Sequence, residues 1–248
     1  MIYIKTGEEI EKMRQAGRVV AEVHQLMREL VRPGVTTAEL NAAGEKLIRS
    51  RGATPSFLGY RGYPASLCIS VNEEVVHGIP GSRIIQEGDI VSIDVGAYLD
   101  GYHGDGAVTV PAGSVDAEKT TLMAVTEEAL YQGIAAAEVG NHVSDISLAV
   151  QSYVEAHGFS VVRDLIGHGI GKDMHEDPEV PNFVSRRRGP KLQPGMVIAI
   201  EPMVNAGGFQ VTYLSDGWTV VTMDRKPSAH FEHTVAITVD GPKILTAL

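Results

Sequence analysis

Residues 85–94, IQEGDIVSID, and residues 192–201, LQPGMVIAIE, repeat one pattern within this chain of 248 residues. The second run begins 107 positions after the first, and Gln, Gly and Ile recur at matching places. Apolar residues dominate the second half of each run, and a carboxylate ends it, Asp94 in one and Glu201 in the other. A short apolar run after a glycine turn is typical of a buried strand, so each run predicts a strand that ends in an acid.

A second match supports a duplication. Residues 33–52 lie over residues 139–158 at an offset of 106, with apolar positions in step. Two nearly equal offsets are typical of an internal repeat. We therefore predict one domain, residues 1–248, made of two similar α+β halves of about residues 1–110 and 111–248. A site between the halves would collect a carboxylate from each.

The periodicity of apolar residues predicts the remaining elements. Steps of three and four over residues 6–30 indicate an amphipathic helix, and the sequence Arg-Pro-Gly that follows ends it. Thr36 or Thr37 is the expected N-cap of a second helix, which runs to about Arg51. The other predicted elements are strands at residues 67–71, 89–98 and 106–110, helices at about residues 117–137 and 143–157, and a β-rich stretch from Met196 to the C-terminus.

Composition and charge exclude several classes of function. Hydrophobic residues make up 44% of the chain, which is enough for a full core. The net charge of −10 argues against nucleic-acid binding, because that function needs clustered Lys and Arg. The one basic run, Arg186-Arg187-Arg188, is either a solvated loop or a contact for an acidic surface.

Cysteine content and apolar runs bear on location. Cys68 is the single cysteine, so no intrachain disulfide can form and a reducing compartment is expected. The charged residues 1–13 lack an apolar signal core, and no apolar run approaches the length of about 18 residues that spans a bilayer. We expect a cytoplasmic protein without a membrane segment. The apolar neighbours of Cys68 favour a buried, unreactive thiol over a nucleophile with a histidine partner.

The predicted strand that contains Asp94 leads into a hairpin with a second acid. Alternation places Ser92 and Asp94 on one face, and Asp105 follows a turn at Asp100-Gly101. Pairing across this hairpin puts Asp105 opposite Asp94 or on its near diagonal, within roughly 8 Å. Two like charges so close destabilise a hairpin unless a cation lies between them. The alternative is a pair of solvated aspartates at a turn.

Further residue types that bind metals occur in the second half. His168 and His175 lie seven positions apart in a glycine-rich segment, and Glu232 lies in an alternating strand. Glu232 with Asp94, Asp105 and Glu201 makes four carboxylates, and one of the two histidines adds an imidazole, a set that suits Mn²⁺, Fe²⁺, Co²⁺ or Zn²⁺. Such a set supports two cations about 3.5 to 4 Å apart with a bridging water. The glycines at 167, 169 and 171 do not follow the order G-x-G-x-x-G of a dinucleotide loop.

Six short motifs, in order along the chain, are similar to those of one known family. They are Val76-His77-Gly78-Ile79-Pro80, Ser92-Ile93-Asp94-Val95-Gly96, Tyr102-His103-Gly104-Asp105, Gly167-His168-Gly169-Ile170-Gly171, Ala199-Ile200-Glu201-Pro202-Met203 and Phe231-Glu232-His233-Thr234. The chain resembles the type I methionine aminopeptidases over nearly its whole length. The resemblance implies the pita-bread (creatinase/aminopeptidase) fold of the α+β class, in which two pseudo-twofold-related halves place helices outside a curved antiparallel β-sheet.

The resemblance implies a metal-dependent aminopeptidase that removes the initiator methionine from nascent polypeptides with a small second residue. It also implies two divalent metal ions, either Co, Mn, Fe or Zn, with a bridging water or hydroxide that attacks the substrate. Asp94 would chelate one ion, and Asp105 and Glu232 would bridge both. His168 and Glu201 would complete the ligand set of the second ion.

The resemblance further assigns the residues that contact the substrate. His77 and His175 would contact the scissile amide and carbonyl, and Glu201 would carry a proton to the leaving amine. Without the family, a packed core histidine is the more common interpretation of each imidazole. The methionine side chain would lie in a pocket lined by Tyr60, Tyr63, Cys68 and Trp218. Phe57 and Met174 depart from the family pattern, in which a smaller residue and an aromatic residue are common.

Three other functions stay open at this point. Prolidases and Xaa-Pro aminopeptidases share the fold but usually carry a separate N-terminal domain, for which Asp94 comes too early. A metal-free binding protein of the same fold lacks the ligands, whereas all five ligand positions are filled here. A structural domain whose acids are scattered would bind no metal, so chelators would have no effect on it. We expect a monomer that acts on nascent peptide N-termini, and any contact with the ribosome is expected to use the surface of this domain.

Overall fold

Four α-helices and fifteen β-strands form the fold, which a computed structural model describes for residues 1–248. The helices are α1 (Gly7–Leu30), α2 (Thr37–Ser50), α3 (Ala117–Ala135) and α4 (Val143–Ala156). The strands are β1 (Thr54–Pro55), β2 (Cys68–Val71), β3 (Glu74–Val76), β4 (Ile90–Leu99), β5 (Tyr102–Pro111), β6 (Ser160–Val161), β7 (Gly167–Gly169), β8 (Glu176–Val180), β9 (Val197–Ile200), β10 (Met203–Asn205), β11 (Val211–Tyr213), β12 (Val220–Thr222), β13 (Ser228–His230), β14 (Glu232–Thr238) and β15 (Gly241–Ile244). None of the helices combines the length and the apolar composition that crossing a membrane requires.

Both helices of the first pair begin at a reciprocal cap. The Thr6 hydroxyl accepts a hydrogen bond from the Glu9 amide at 3.3 Å, while the Thr6 amide donates to the Glu9 carboxylate at 2.8 Å. Thr36 and Glu39 repeat this arrangement at the start of α2, with distances of 3.2 and 2.8 Å. Each cap satisfies two backbone donors that the helix itself leaves free. Thr36 is therefore the N-cap of α2.

The largest sheet has nine antiparallel strands. Its order is β1-β4-β5-β14-β9-β7-β8, with β2 also paired to β4 and β15 to β14. The long hairpin β4–β5 turns at Asp100 and Gly101, whose φ angles are 50° and 87°. Two consecutive positive φ values are typical of the type I′ turn that Asp-Gly favours, so the predicted turn is confirmed. Two smaller sheets have the orders β13-β10-β6 and β11-β12-β3.

Helix α1 covers one face of the β4–β5 hairpin. Gly104 lies so near this helix that a Cβ on it would stand 2.8 Å from the Cα of Gly17. Gly106 faces the same helix, where a Cβ would meet Val20 at 3.2 Å. Because side chains alternate along a strand, Asp105 points to the opposite face. The two glycines let the helix approach, and the residue between them is aimed away from it.

The predicted elements agree with the structure except at their ends. Helix α3 ends at Ala135 rather than near residue 137, and β5 begins at Tyr102 rather than 106 because pairing with β4 continues to the turn. The β-rich stretch predicted from Met196 divides into seven short strands. A helix pair followed by strands occurs twice along the chain, as a duplication requires, and the division near residue 110 stays a prediction. The basic run at 186–188 lies on an exposed loop.

Candidate metal centre

The register of the large sheet brings the predicted acids of the first half together. Asp94 lies on β4, and Asp105 lies on β5 opposite Gly96, two positions along from Asp94. The two carboxylates are therefore diagonal neighbours on one face, as the hairpin pattern predicts. Strand β14 pairs with the other edge of β5 and places Glu232 opposite Ala107.

The candidate ligands form a row across the sheet, and the second half of the chain completes this row through β9 and β7. His233 pairs with Ile200, so the next residues on the two strands, Glu232 and Glu201, are neighbours. Strand β7 pairs with β9 through Gly169 and carries His168. The order β4-β5-β14-β9-β7 therefore supplies one candidate ligand from each strand or its end. Residues far apart in the chain meet because their strands are adjacent in the sheet.

His168 presents its Nε2 atom to the acids. Its Nδ1 lies 2.8 Å from the carbonyl oxygen of Gly169, which can only accept, so Nδ1 carries the ring proton. Nε2 lies 3.7 Å from Asp105 Oδ2 and 3.7 Å from Glu201 Oε1. Burial alone lowers the pKa of His168, but these two carboxylates raise it above its ordinary value. A proton or a cation can therefore occupy the Nε2 lone pair.

The four carboxylates lie together, and their ion-pair partners within 4 Å are imidazoles rather than Lys or Arg. Burial raises the pKa of Asp94 well above its ordinary value, and the charges of Asp105 and Glu201 raise it further. Burial is also the largest cause that raises the pKa of Glu232, and it raises the pKa of Glu201 to about 8. Oδ1 of Asp94, Oδ1 of Asp105 and Oε1 of Glu232 have no hydrogen-bond partner. Buried acids that repel one another and lack donors fit divalent cations as their missing partners.

A cavity of about 140 Å³ opens onto these acids. Its lining includes every residue predicted for the site: Tyr60, Tyr63, Cys68, His77, Asp94, Asp105, His168, His175, Glu201, Trp218 and Glu232. Phe57, Arg61 and Met174 complete the lining. The structure therefore brings all the predicted site residues to one place, while the role of each stays a proposal.

His175 and His77 are neutral imidazoles in this cavity. The Tyr60 hydroxyl lies 2.8 Å from Nδ1 of His175, and the two rings stack with centroids 5.3 Å apart. Although part of His175 is exposed, burial of its ring and, second, the neighbouring His168 lower its pKa to about 3. Burial also lowers the pKa of His77, although Asp105 opposes this effect. Each ring is therefore uncharged at neutral pH and carries a single N–H.

The other end of the cavity is apolar and aromatic. Phe57, Cys68 and Met174 pack together there, with Tyr63 edge-on to Trp218 at a centroid distance of 5.1 Å. The Cys68 thiol is 4% exposed and unpaired. Burial raises its pKa well above the ordinary value, and the nearby Asp94 raises it further. These properties agree with the predicted buried thiol rather than with a nucleophile.

Two residues near the site were not predicted. Arg61 has a φ of 49°, and its guanidinium lies 5.4 Å from the centroid of the Tyr60 ring. His230 is 1% exposed, and its Nε2 lies within 4 Å of Glu201 and Glu232. Residues two positions apart in a strand lie on the same face, so the spacing of His230 and Glu232 is the available signal in the sequence. This signal is weak, because the strand breaks at residue 231, between β13 and β14, and alternation does not carry reliably across a break.

Comparisons with known proteins point to one family. The model of metallopeptidase family M24 matches residues 11–239. A methionine aminopeptidase of Clostridium perfringens is 56% identical over 248 residues, covering 100% of both chains. The crystal structure of a methionine aminopeptidase from Thermotoga maritima superposes with a TM-score of 0.98 at 44% identity, again covering 100% of both chains. A prolidase from Pyrococcus furiosus has a TM-score of 0.80 at 26% identity, and the match covers 99% of this chain and 65% of the prolidase.

Proposed function

The chain belongs to the methionine aminopeptidases of metallopeptidase family M24, and from that premise we propose how its residues remove an initiator methionine from peptides with a small second residue. The observation that carries the proposal is the row of ligands on five adjacent strands: Asp94, Asp105, Glu232, Glu201 and His168. We propose that this row holds two divalent cations, either Co, Mn, Fe or Zn. When bound, such cations polarise a carbonyl group and make water acidic enough to react near neutral pH.

The buried acids also explain why the enzyme would act at a chain end. Four carboxylates line the cavity against a single cationic side chain, Arg61, so the cavity suits the free N-terminal amine of a peptide. A peptide bond in the middle of a chain has no such amine. We therefore attribute the exopeptidase outcome to the cations that these acids would hold, at which a free amine would find a place, and to the acidic lining itself.

His175 would stabilise the negative charge that develops on the scissile carbonyl oxygen. The Tyr60 hydroxyl can donate to Nδ1 of His175 at 2.8 Å, which leaves the ring proton on Nε2. A neutral imidazole held in this tautomer would donate from Nε2 to that oxygen. His77, also neutral, would donate to or accept from the scissile amide.

Glu201 is the proposed proton carrier. It lies between Glu232 and His168 in the ligand row, and burial raises the pKa of its carboxyl to about 8. A carboxylate with a raised pKa can accept a proton from the attacking water and pass it to the leaving amine. Hydrolysis is then complete, with one proton moved and no group left on the protein.

The apolar end of the cavity would bind the methionine side chain. Cys68, Met174 and the ring edges of Tyr63 and Trp218 form soft, polarisable surfaces that suit a thioether. The proposed substrates are nascent peptide N-termini, bound by one protomer.

The test is release of methionine from a peptide that begins Met-Gly, with a peptide that begins Ala-Pro as the probe for Xaa-Pro cleavage. Asp105→Asn is expected to lower kcat/KM at least about 100-fold and to lower the bound metal per chain. Asp100→Asn is the matched control, because it makes the same charge change at the exposed turn of the same hairpin. Unchanged hydrolysis by Asp105→Asn, or no divalent ion in anaerobically prepared protein, would contradict the proposal.

A further inference from the structure

His230 lies behind the two glutamates of the metal centre. It is the last residue of β13, two positions before Glu232, and it pairs with Met203 of β10. It is almost fully buried and is not among the residues that line the cavity. The ring therefore approaches the centre from the protein interior rather than from the substrate side.

The Nε2 atom of His230 faces both glutamates at once. It lies 3.8 Å from Oε2 of Glu201 and 3.9 Å from Oε2 of Glu232. Neither of its ring nitrogens has a hydrogen-bond partner. A buried polar group left in this state costs about 1–3 kcal/mol, so a partner for this ring is expected.

The two glutamates lack a donor of their own. Oε1 of Glu232 has no partner, and the hydrogen bond from the Asn182 side chain goes to the main-chain oxygen of Glu201 rather than to its carboxylate. Carboxylates that bind metals are in general held by hydrogen bonds from residues outside the ligand set. The His230 ring is the polar group placed to supply such a bond to both.

A direct bond from His230 to the cation beside His168 is the competing role. Asp105, His168 and Glu232 can place their ligand atoms within 4.8 Å of one another, and so can Glu201, His230 and Glu232. No such group contains both imidazoles. The geometry therefore favours an action of His230 on the glutamates over a bond to the ion that His168 would hold.

We propose that His230 is a positioning residue, which donates its Nε2–H to the Oε2 atoms of Glu201 and Glu232 and so holds both carboxylates in the orientation that binds cations. A movement of about 1 Å brings the observed separations to hydrogen-bond length, and rotation of a carboxylate about its last bond supplies it. The inference rests on the proposed metal centre.

The first test compares two replacements of His230 in the full chain. His230→Gln keeps an N–H donor and His230→Leu removes it, and each metal-free protein is titrated calorimetrically with Mn²⁺. The Leu variant is expected to bind about 10- to 100-fold more weakly than the wild type, and the Gln variant nearly as tightly. His24→Leu is the matched control: His24 is also buried with an unpartnered Nε2, but it lies on α1, on the other face of the sheet. Equal affinity of His230→Leu and the wild type would overturn the proposal.

The second test needs no variant that removes the donor. Nitrogen NMR of the wild type loaded with Zn²⁺ reports which ring nitrogen of His230 is protonated, with the signal assigned by its loss in His230→Gln. A proton on Nε2 is expected. An unprotonated Nε2, bound to metal or free, would overturn the positioning role. Wild-type protein that binds no divalent cation would instead contradict the proposed function itself.

Discussion

Asp94 and Glu232 lie on either side of one residue: both pair with Ala107, Asp94 from β4 and Glu232 from β14. Residues directly opposite one another on antiparallel strands present their side chains to the same face. The two carboxylates therefore flank the methyl group of Ala107, which is 1% exposed. The size of the Ala107 side chain therefore sets how closely the carboxylates of Asp94 and Glu232 can approach one another in the metal centre.

Ala107→Val is expected to weaken cation binding while the fold survives. Valine is favourable in a strand, but its additional methyl groups would lie between Asp94 and Glu232. Overpacking of this kind costs about 1–3 kcal/mol, which corresponds to roughly a 5- to 150-fold loss of affinity if the whole cost falls on the metal centre. Calorimetric titration of the metal-free protein with Co²⁺ measures the change.

Ala107→Gly is the matched control for this prediction. It leaves the space between the carboxylates open and lowers the free energy of unfolding by about 0.5–1 kcal/mol. We expect the Gly variant to bind Co²⁺ like the wild type. If the Val variant also binds like the wild type, the residue at 107 does not set the spacing of the acids.

The sequence was sufficient to predict the hairpin and the two repeated strands. Asp100-Gly101 specifies its own turn type, and alternation then fixes the face of Asp94 and Asp105. The adjacency of β5 and β14 is different, because no local pattern specifies it. Pairing between distant strands depends on which faces the whole core buries, so the residues alone gave Glu232 as a candidate ligand, and its bridging role came from the family resemblance.

His230 shows where the interpretation of the sequence was limited. A single histidine in a short apolar strand is most often a packed core residue. Its significance comes from β10, which pairs with β13 and brings the end of β9, with Glu201, to the same place. That relation depends on tertiary contacts between strands and not on the local sequence around His230. Phe57 and Met174, by contrast, were singled out in the sequence, and both line the apolar end of the cavity.

Cys68 is expected to resist alkylation in the folded protein. Burial and the neighbouring Asp94 hold the pKa of its thiol well above the ordinary value, so the reactive thiolate is scarce at pH 8. Iodoacetamide followed by mass spectrometry should label Cys68 after unfolding in guanidinium and leave it almost unlabelled before. Rapid labelling of the native protein would mean that the thiol is accessible and ionised, contrary to the structure.

Lys5→Met is expected to destabilise the protein strongly. Nζ of Lys5 lies 2.5 Å from Oε2 of Glu176, and the two side chains are 5% and 4% exposed. Removing one partner leaves a buried charge unpaired, which costs about 3–5 kcal/mol. Urea unfolding measures this loss. Methionine release should fall as well, because Glu176 follows His175 directly in the chain.

A double variant separates the ion pair from the packing of each residue. In Lys5→Met with Glu176→Gln, no charge is left unpaired, so most of the stability lost in Lys5→Met should return. If instead the losses of the two single variants simply add in the double variant, Lys5 and Glu176 do not stabilise one another.

His24 makes the fold sensitive to acid, and His24→Leu is expected to reduce that sensitivity. Burial lowers the pKa of His24 to about 3, with smaller contributions from His233 and Arg28. In the unfolded chain its pKa returns to about 6.5. Between about pH 4 and pH 6 the unfolded chain therefore holds a proton that the folded protein does not. Stability falls as the pH falls through this window, by about 1.4 kcal/mol per pH unit for this one group.

The variant isolates that slope because every other titrating group is shared with the wild type. Unfolding free energies from urea titrations at about pH 4, 5, 6 and 7.5 should decline less steeply with acid in His24→Leu, by about 1.4 kcal/mol per pH unit. Above pH 7 His24 is neutral in both folded and unfolded states, so the difference between the proteins should be constant there. Parallel curves below pH 6 would show that the folded protein accommodates a protonated His24, which a ring so fully buried beneath the sheet cannot do without opening.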